Sequence, residues 1–300
     1  MKTLKLILTC ILLTLIGALP AVAGPRIFVS GLGNDANPGT REQPKRTFAS
    51  ALTVTDPSGE VVVLDPAGFG SSTLLINKSV SIIVPAGIFG GMRVPSGNAI
   101  TVAAGSSDTV VLRGLTLNSE GGTNGISFQS GAALHVENCI INGFTGGAGI
   151  DVDSSAGASA RLYVKDTSCR RNFYGIEVGA GRGSLDQVRL EQNASVGLFV
   201  SGSGILVSIA NSVASGTPFG LVGSGSGAEL NVEDCLVTNN VNPGIHSQSG
   251  ATVRVSNSTV TNNGIGLSNN SGSILLSRLN NTVQGNTTNK SGTIGSFGAD

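Results

Sequence analysis

One step recurs from about residue 111 onward and limits what this chain can fold into. A glycine followed by Ile or Leu stands at Gly125-Ile126, Gly149-Ile150, Gly175-Ile176, Gly197-Leu198, Gly220-Leu221, Gly244-Ile245 and Gly266-Leu267. The successive spacings run from 22 to 26 residues. About ten residues upstream of most of them lies a second signal, as in Val136-Glu137-Asn138-Cys139, Val164-Lys165-Asp166-Thr167 and Val232-Glu233-Asp234-Cys235. A period in the low twenties marks a solenoid, whose units bury their apolar sides only against their neighbours. Leucine-rich repeats share that period but need a fixed Leu framework and an invariant Asn, which this chain lacks. Val, Ile and Thr favour strands, and Gly or Asn accept the left-handed backbone of a sharp corner. The repeat therefore fits a coil of parallel strands, three short strands and three corners per turn.

The start of the chain points the same way. Arg26-Ile27-Phe28-Val29-Ser30 leads into Gly33-Asn34-Asp35-Ala36-Asn37-Pro38-Gly39-Thr40, then Pro44, Thr47-Phe48 and Ala51-Leu52. Together with the repeats, this order resembles the secreted bacterial right-handed parallel β-helix proteins of the pectin-lyase-like superfamily. The resemblance implies an all-β solenoid with an N-terminal strand, a loop and a capping helix. It also implies a superfamily of lyases, hydrolases, epimerases and adhesins, so fold alone does not choose an activity. The expected organisation is a signal peptide at 1–23, a strand, loop and capping helix at 24–58, a β-helix at 59–286 and a polar tail at 287–300. Phe48, Ala51 and Leu52 have helical spacing and would plug the open end of roughly nine to eleven coils.

Lys2 and Lys5, the apolar run Leu6 to Leu19 and Ala21-Val22-Ala23 have the order of a secretory signal peptide. Its removal takes away two lysines and no acid, leaving a slightly acidic chain with no further apolar stretch long enough to span a bilayer. Only 12% of residues are charged, with Lys+Arg and Asp+Glu equal at 18. That balance argues against nucleic acid, whose phosphates require concentrated basic residues. Cys139, Cys169 and Cys235 remain after cleavage. Cys139 and Cys235 fall in one column four coils apart, about 19 Å at the spacing of stacked strands, too far for a disulfide. Three buried free thiols are expected.

Aligning the coils gives columns of equivalent residues. One holds Asn138, Asp166, Gln187, Asn211, Asp234 and Asn257; another holds Asn172, Asn193, Asn240 and Asn263. Both read as stacked corners with amide ladders. An outward column reads Ser127, Asp151, Glu177, Phe199, Val222, His246 and Ser268, with Asp153 two residues beyond Asp151. Asp151, Asp153 and Glu177 are the candidate metal ligands, for calcium, since Ca²⁺ takes six to eight oxygens. Asp151 and Glu177, with Arg170 as helper, are the candidate catalytic set. Two carboxyls about 5 Å apart suit glycosidase chemistry, and an Arg could remove the proton beside a uronate. Glu137–Lys165–Asp186 and Arg170 over Glu191 read as cross-strand charge ladders.

Two observations weigh against a polysaccharide-processing groove. Sugar faces stack on aromatic rings, and the chain has no Trp and only Tyr163 and Tyr174. A polyuronate would be drawn by a basic groove. The polygalacturonase patterns Asp-Asp, Asn-Thr-Asp, Gly-His-Gly and Arg-Ile-Lys are also missing. The leading expectation is thus a secreted non-catalytic scaffold that binds a glycan or envelope protein weakly. The alternatives are a lyase or glycoside hydrolase built on the carboxylates, and a subunit of an adhesin or fibre.

Overall fold

The computed structural model describes residues 26–298; the signal-peptide segment lies outside the described residues. The chain winds as a right-handed parallel β-helix of about ten coils. Its first sheet has twelve strands, from Arg26–Val29 to Ile294–Ser296. The second runs from Ala67–Gly68 to Thr282–Val283 and the third from Leu74–Ile76 to Thr288–Ser291, with ten strands each. Each coil contributes a strand to the first, second and third sheet in turn. Inward residues such as Val136, Ile141 and Ile150 are fully buried in one long core. Among the described residues no helix is long and apolar enough to cross a membrane.

The N-terminal end is closed by a helix at Phe48–Val54. Thr47 caps it, its hydroxyl accepting the Ser50 N–H at 3.1 Å, and Phe48, Ala51 and Leu52 face the core. Asp35 secures the approach by accepting from the N–H groups of Arg46 and Thr47, both at 2.9 Å. The other end differs from expectation. The polar segment from 287 is no loose tail: Thr288–Ser291 and Ile294–Ser296 extend the third and first sheets by one more strand each. Backbone pairing does not need apolar side chains, so the hydrophobic pattern fades before the coil does.

The two polar columns prove physically different. Asn138, Asp166, Gln187, Asn211, Asp234 and Asn257 all have φ between 47° and 54°. They turn the chain from the first sheet to the second in the left-handed region, which Asn and Asp tolerate best. Asn172, Asn193, Asn240 and Asn263 turn it from the second to the third, and their side chains lie inside the coil, at most 2% exposed. Each side-chain oxygen accepts the N–H of the equivalent residue one coil earlier: Asn172 from Phe144, Asn193 from Asn172, Asn240 from Thr217 and Asn263 from Asn240, at 3.0–3.1 Å. Each amide nitrogen donates to a carbonyl of the second sheet, those of Ile141, Cys169, Ala214 and Val237. Asn286 continues the ladder, and Thr217 interrupts it.

This ladder explains the pitch glycines. A Cβ on Gly175 would lie 2.4 Å from the Gly197 carbonyl oxygen and 2.9 Å from the Asn193 amide nitrogen. Gly149, Gly220, Gly244 and Gly266 meet the amides of Asn172, Asn240, Asn263 and Asn286 in the same way, at 2.7–3.0 Å. Glycine is therefore fixed here by close approach of the next coil and the ladder amide. The three cysteines are buried and unbonded to one another. Burial pushes the Cys139 thiol up to about 12 and the Cys235 thiol up to about 11, which suits inert filler.

Candidate functional site

The third sheet places the outward column in register, Ser127 beside Asp151, Asp151 beside Glu177, and Glu177 beside Phe199. Adjacent parallel strands lie about 4.8 Å apart, so the two carboxyl groups project side by side. Among the described residues neither forms an ion pair with a basic side chain. Burial, followed by repulsion from Asp153, pushes the Asp151 carboxyl up to about 6, although a hydrogen bond with Ser127 opposes the shift. Burial, followed by repulsion from Asp151 and Asp153, pushes Glu177 up to about 7. Like charges on neighbouring strands in a partly desolvated place cannot both ionise cheaply. With the higher value on Glu177, the pair near neutrality offers a partly protonated acid beside a mostly ionised base.

Asp153 behaves differently. It caps the short turn Ser154–Ala156, accepting the Ser155 N–H at 2.7 Å. Hydrogen bonds from Ser155 hold its carboxyl below the usual range. Of the three carboxylates expected as calcium ligands, Asp153 thus spends one oxygen on its own turn while its charge still acts on Asp151 and Glu177. Among the described residues no three His, Cys, Asp or Glu side chains converge to hold a metal ion.

Arg170 does not join the pair. Its strand, Ser168–Arg170, belongs to the second sheet, where Arg170 sits in register between Asn142 and Glu191. The Arg171–Asn172 corner separates it from Glu177 on the third. The expected Arg170–Glu191 ladder does not form either, because Glu191 takes Arg189 of its own strand at 2.5 Å. In the Glu137–Lys165–Asp186 column, the ion pair formed is that of Glu137 with Arg113 from the preceding strand, at 2.7 Å.

The residue before each pitch glycine brings in side chains that sequence reasoning did not assign. Ala148, Tyr174 and Val196 are aligned, as are Val196 and Phe219. Tyr174 stacks on Phe199 with centroids 5.4 Å apart, and Phe173 meets Tyr174 edge-on at 4.7 Å. Phe199 is in register with Glu177, so the stack stands beside the carboxyl pair, and burial and then the Glu177 charge raise the Tyr174 phenol. Three rings, Phe173, Tyr174 and Phe199, thus cluster on the third sheet beside the acids. The available signal was position: a residue just before the pitch glycine faces outward with the column three residues later. Further along, His246 is 7% exposed, with its Nε2 3.1 Å from Gln248 Oε1 and its ring 6.2 Å from Phe219. Between the strands Ile126–Ser130 and Ile265–Asn269 the third sheet holds no Lys or Arg.

Comparison with protein families matches residues 98–288 to the family described as "Right handed beta helix region". Among solved structures, pectate lyase Pel9A superposes with a TM-score of 0.66 at 17% identity, covering 91% of this chain and 80% of that one. The A-module of the mannuronan C-5 epimerase AlgE4 from Azotobacter vinelandii gives a TM-score of 0.48 at 13% identity, covering 81% of this chain and 91% of that one. At these identities the likeness is one of fold. A comparison with curated proteins finds no match.

Proposed function

The chain belongs to the right-handed β-helix family, and from that premise we propose that it is a secreted carbohydrate-active protein that holds a glycan on the outer face of its third sheet and cleaves it by acid–base chemistry. The observation that carries the reading is the in-register Asp151–Glu177 pair beside the Tyr174–Phe199 stack. A sugar ring lies on the aromatic face. The protonated member of the pair gives its proton to the glycosidic oxygen, and the ionised member serves as nucleophile or base. Strand spacing of about 4.8 Å is close to the separation of about 5 Å used by retaining glycosidases. Hydrolysis is favoured over β-elimination because Arg170, the candidate base, is on another sheet. The order of Lys2, the Leu6–Leu19 run and Ala21-Val22-Ala23 supports secretion.

A second reading, a rigid scaffold that binds without turnover, is favoured by the short connections after most third-sheet strands, such as residues 179–181 and 249–251. These build no deep walls around the pair. The two readings separate in one experiment. The purified protein is incubated with neutral and uronate glycans, with and without Ca²⁺, beside an Asp151→Ala/Glu177→Ala double variant. Calcium-independent release of reducing ends, lost in the double variant, is the expected result. Binding without turnover on any glycan would leave the scaffold reading, and turnover that requires Ca²⁺ would overturn the hydrolytic one.

A further inference from the structure

The first sheet carries a charge arrangement that its own pattern does not explain. Elsewhere on its outer face arginines are neutralised by glutamates from other strands: Arg26 with Glu60 at 2.6 Å, Arg113 with Glu137 at 2.7 Å and Arg254 with Glu229 at 2.6 Å. At the other end of the same strands, Arg113, Glu137, Lys165 and Asp186 alternate in sign along the coil. Arg161 and Arg182 break this rule. They are partners in register on neighbouring strands, with Ala133 before them and Leu206 after them in the column, and among the described residues neither forms an ion pair. Like charges directly opposite one another destabilise a sheet.

Their surroundings add an anchored connection and an exposed ring. Arg161 is anchored, its Nη1 donating to the carbonyls of Ser159 and Ala160 at 2.7 and 3.1 Å, and to that of Ala158 at 3.3 Å. This ties down residues 153–160, the long connection that makes the Gly149–Gly175 step the widest of the repeat. Arg182 is exposed. Two residues beyond Arg161, on the same face, Tyr163 stacks on His135 with centroids 4.6 Å apart and rings 18° from parallel, and it stays 41% exposed.

We propose that Arg161, Arg182 and Tyr163 form a binding surface for a glycan carrying phosphate monoesters, separate from the carboxylate face of the third sheet. Two arginines on neighbouring strands supply two positive charges, the exposed Arg182 with its whole fork and Arg161 with the N–H groups its Nη1 anchoring leaves over. A phosphate monoester carries about −1.5 to −2 charges and three acceptor oxygens, enough for both arginines at once. A carboxylate has one charge and two oxygens, which a single fork satisfies. The sugar bearing the ester would lie on the exposed ring of Tyr163.

Affinity electrophoresis tests this with the full mature protein in gels containing dextran substituted with phosphate monoesters, dextran sulfate, polygalacturonate or plain dextran. The expected result is strongest retardation by the phosphorylated dextran, weakened about tenfold by Arg182→Ala and less by Arg182→Lys. Tyr163→Ala should weaken phosphorylated dextran binding without changing the thermal midpoint. Lys165→Ala removes the same charge from the same face, between Glu137 and Asp186, and should leave retardation within about twofold. Equal retardation by polygalacturonate or dextran sulfate overturns the choice of phosphate. An effect of Lys165→Ala equal to that of Arg182→Ala, or none from Arg182→Ala, overturns the site. Because Arg182 and Tyr163 are on the first sheet, these outcomes are independent of whether Asp151 and Glu177 are catalytic.

Discussion

The corner between the second and third sheets and the outer face of the third sheet are built from the same coils, a few residues apart, and treat polar groups in opposite ways. At the corner, Asn172, Asn193, Asn240 and Asn263 are buried with oxygen and nitrogen both bonded. On the face, Asp151 and Glu177 are partly buried, lack a basic partner and repel each other. A satisfied buried amide adds rigidity and uniqueness. A carboxyl pair without a basic partner raises its own proton affinity, which costs stability and gives chemistry. The repeat thus uses one kind of column to hold the coil and another to expose a reactive group.

The largest effects should come from the corner. Gly175→Ala puts a methyl 2.4 Å from a backbone oxygen of the next coil, which cannot move without breaking the stack. The expected loss is on the order of 4 kcal/mol, measured by urea unfolding. Asn240→Ala removes the acceptor of the Thr217 N–H and the donor to the Ala214 carbonyl, leaving both buried. About 3 kcal/mol should be lost. If either variant unfolds within about 1 kcal/mol of wild type, the corner does not hold the coil as argued.

The face predicts a smaller, pH-dependent effect. Asp151 and Glu177 have folded values near 6 and 7, above their ordinary 3.8 and 4.5. The folded state therefore binds these protons more tightly than the unfolded state. Their contribution favours folding below the ordinary values and is lost as pH rises through the folded ones. Between pH 4.5 and 7.5 the pair should remove about 2 kcal/mol of stability, after discounting for solvent screening. Asp151→Asn/Glu177→Gln should flatten that decline and be more stable than wild type at pH 7.5. A decline of equal slope in the double variant would show that the carboxyls are not coupled. The same substitutions should abolish any calcium-independent glycan cleavage, which an assay of reducing ends at pH 6 would register.

The sequence made the fold legible because a solenoid writes each contact once per coil. Gly149 and Gly175 share a column in the chain and in space, and so do Asp151 and Glu177. What lies at right angles to the repeat was less legible. Whether Asp153 reaches its neighbours depends on the Ser155 N–H two residues away, a local turn that periodicity does not encode. Arg170 lies on the coil of Glu177 yet faces another direction, because the Arg171–Asn172 corner turns the chain between them. Tyr174 was hidden by the irregular corner before the pitch glycine, where strict alternation cannot be read across. The polar strand Thr288–Ser291 was hidden because its pairing is carried by the backbone alone.

Thr217 offers the finest test of the comparison, since it is the one step between Asn172 and Asn286 where the ladder lacks its amide. Thr217 is fully buried, and its hydroxyl bonds to the Phe219 carbonyl at 2.6 Å and to Asn240 at 2.7 Å. It has no amide to reach the second-sheet carbonyl that its neighbours satisfy. Gly197 at that level faces Leu190 and Ala214 rather than an amide nitrogen, so the space an Asn side chain occupies in other coils is lined here by small apolar groups. Thr217→Asn would supply an acceptor for the Asn193 N–H and a donor to the second sheet, while losing the bond to Phe219. Its expected effect is a gain of about 1 kcal/mol, seen as a higher urea midpoint with unchanged m-value. A loss of stability would mean that Thr217 is packed for its own coil and that the ladder works as two separate segments, one on each side of it.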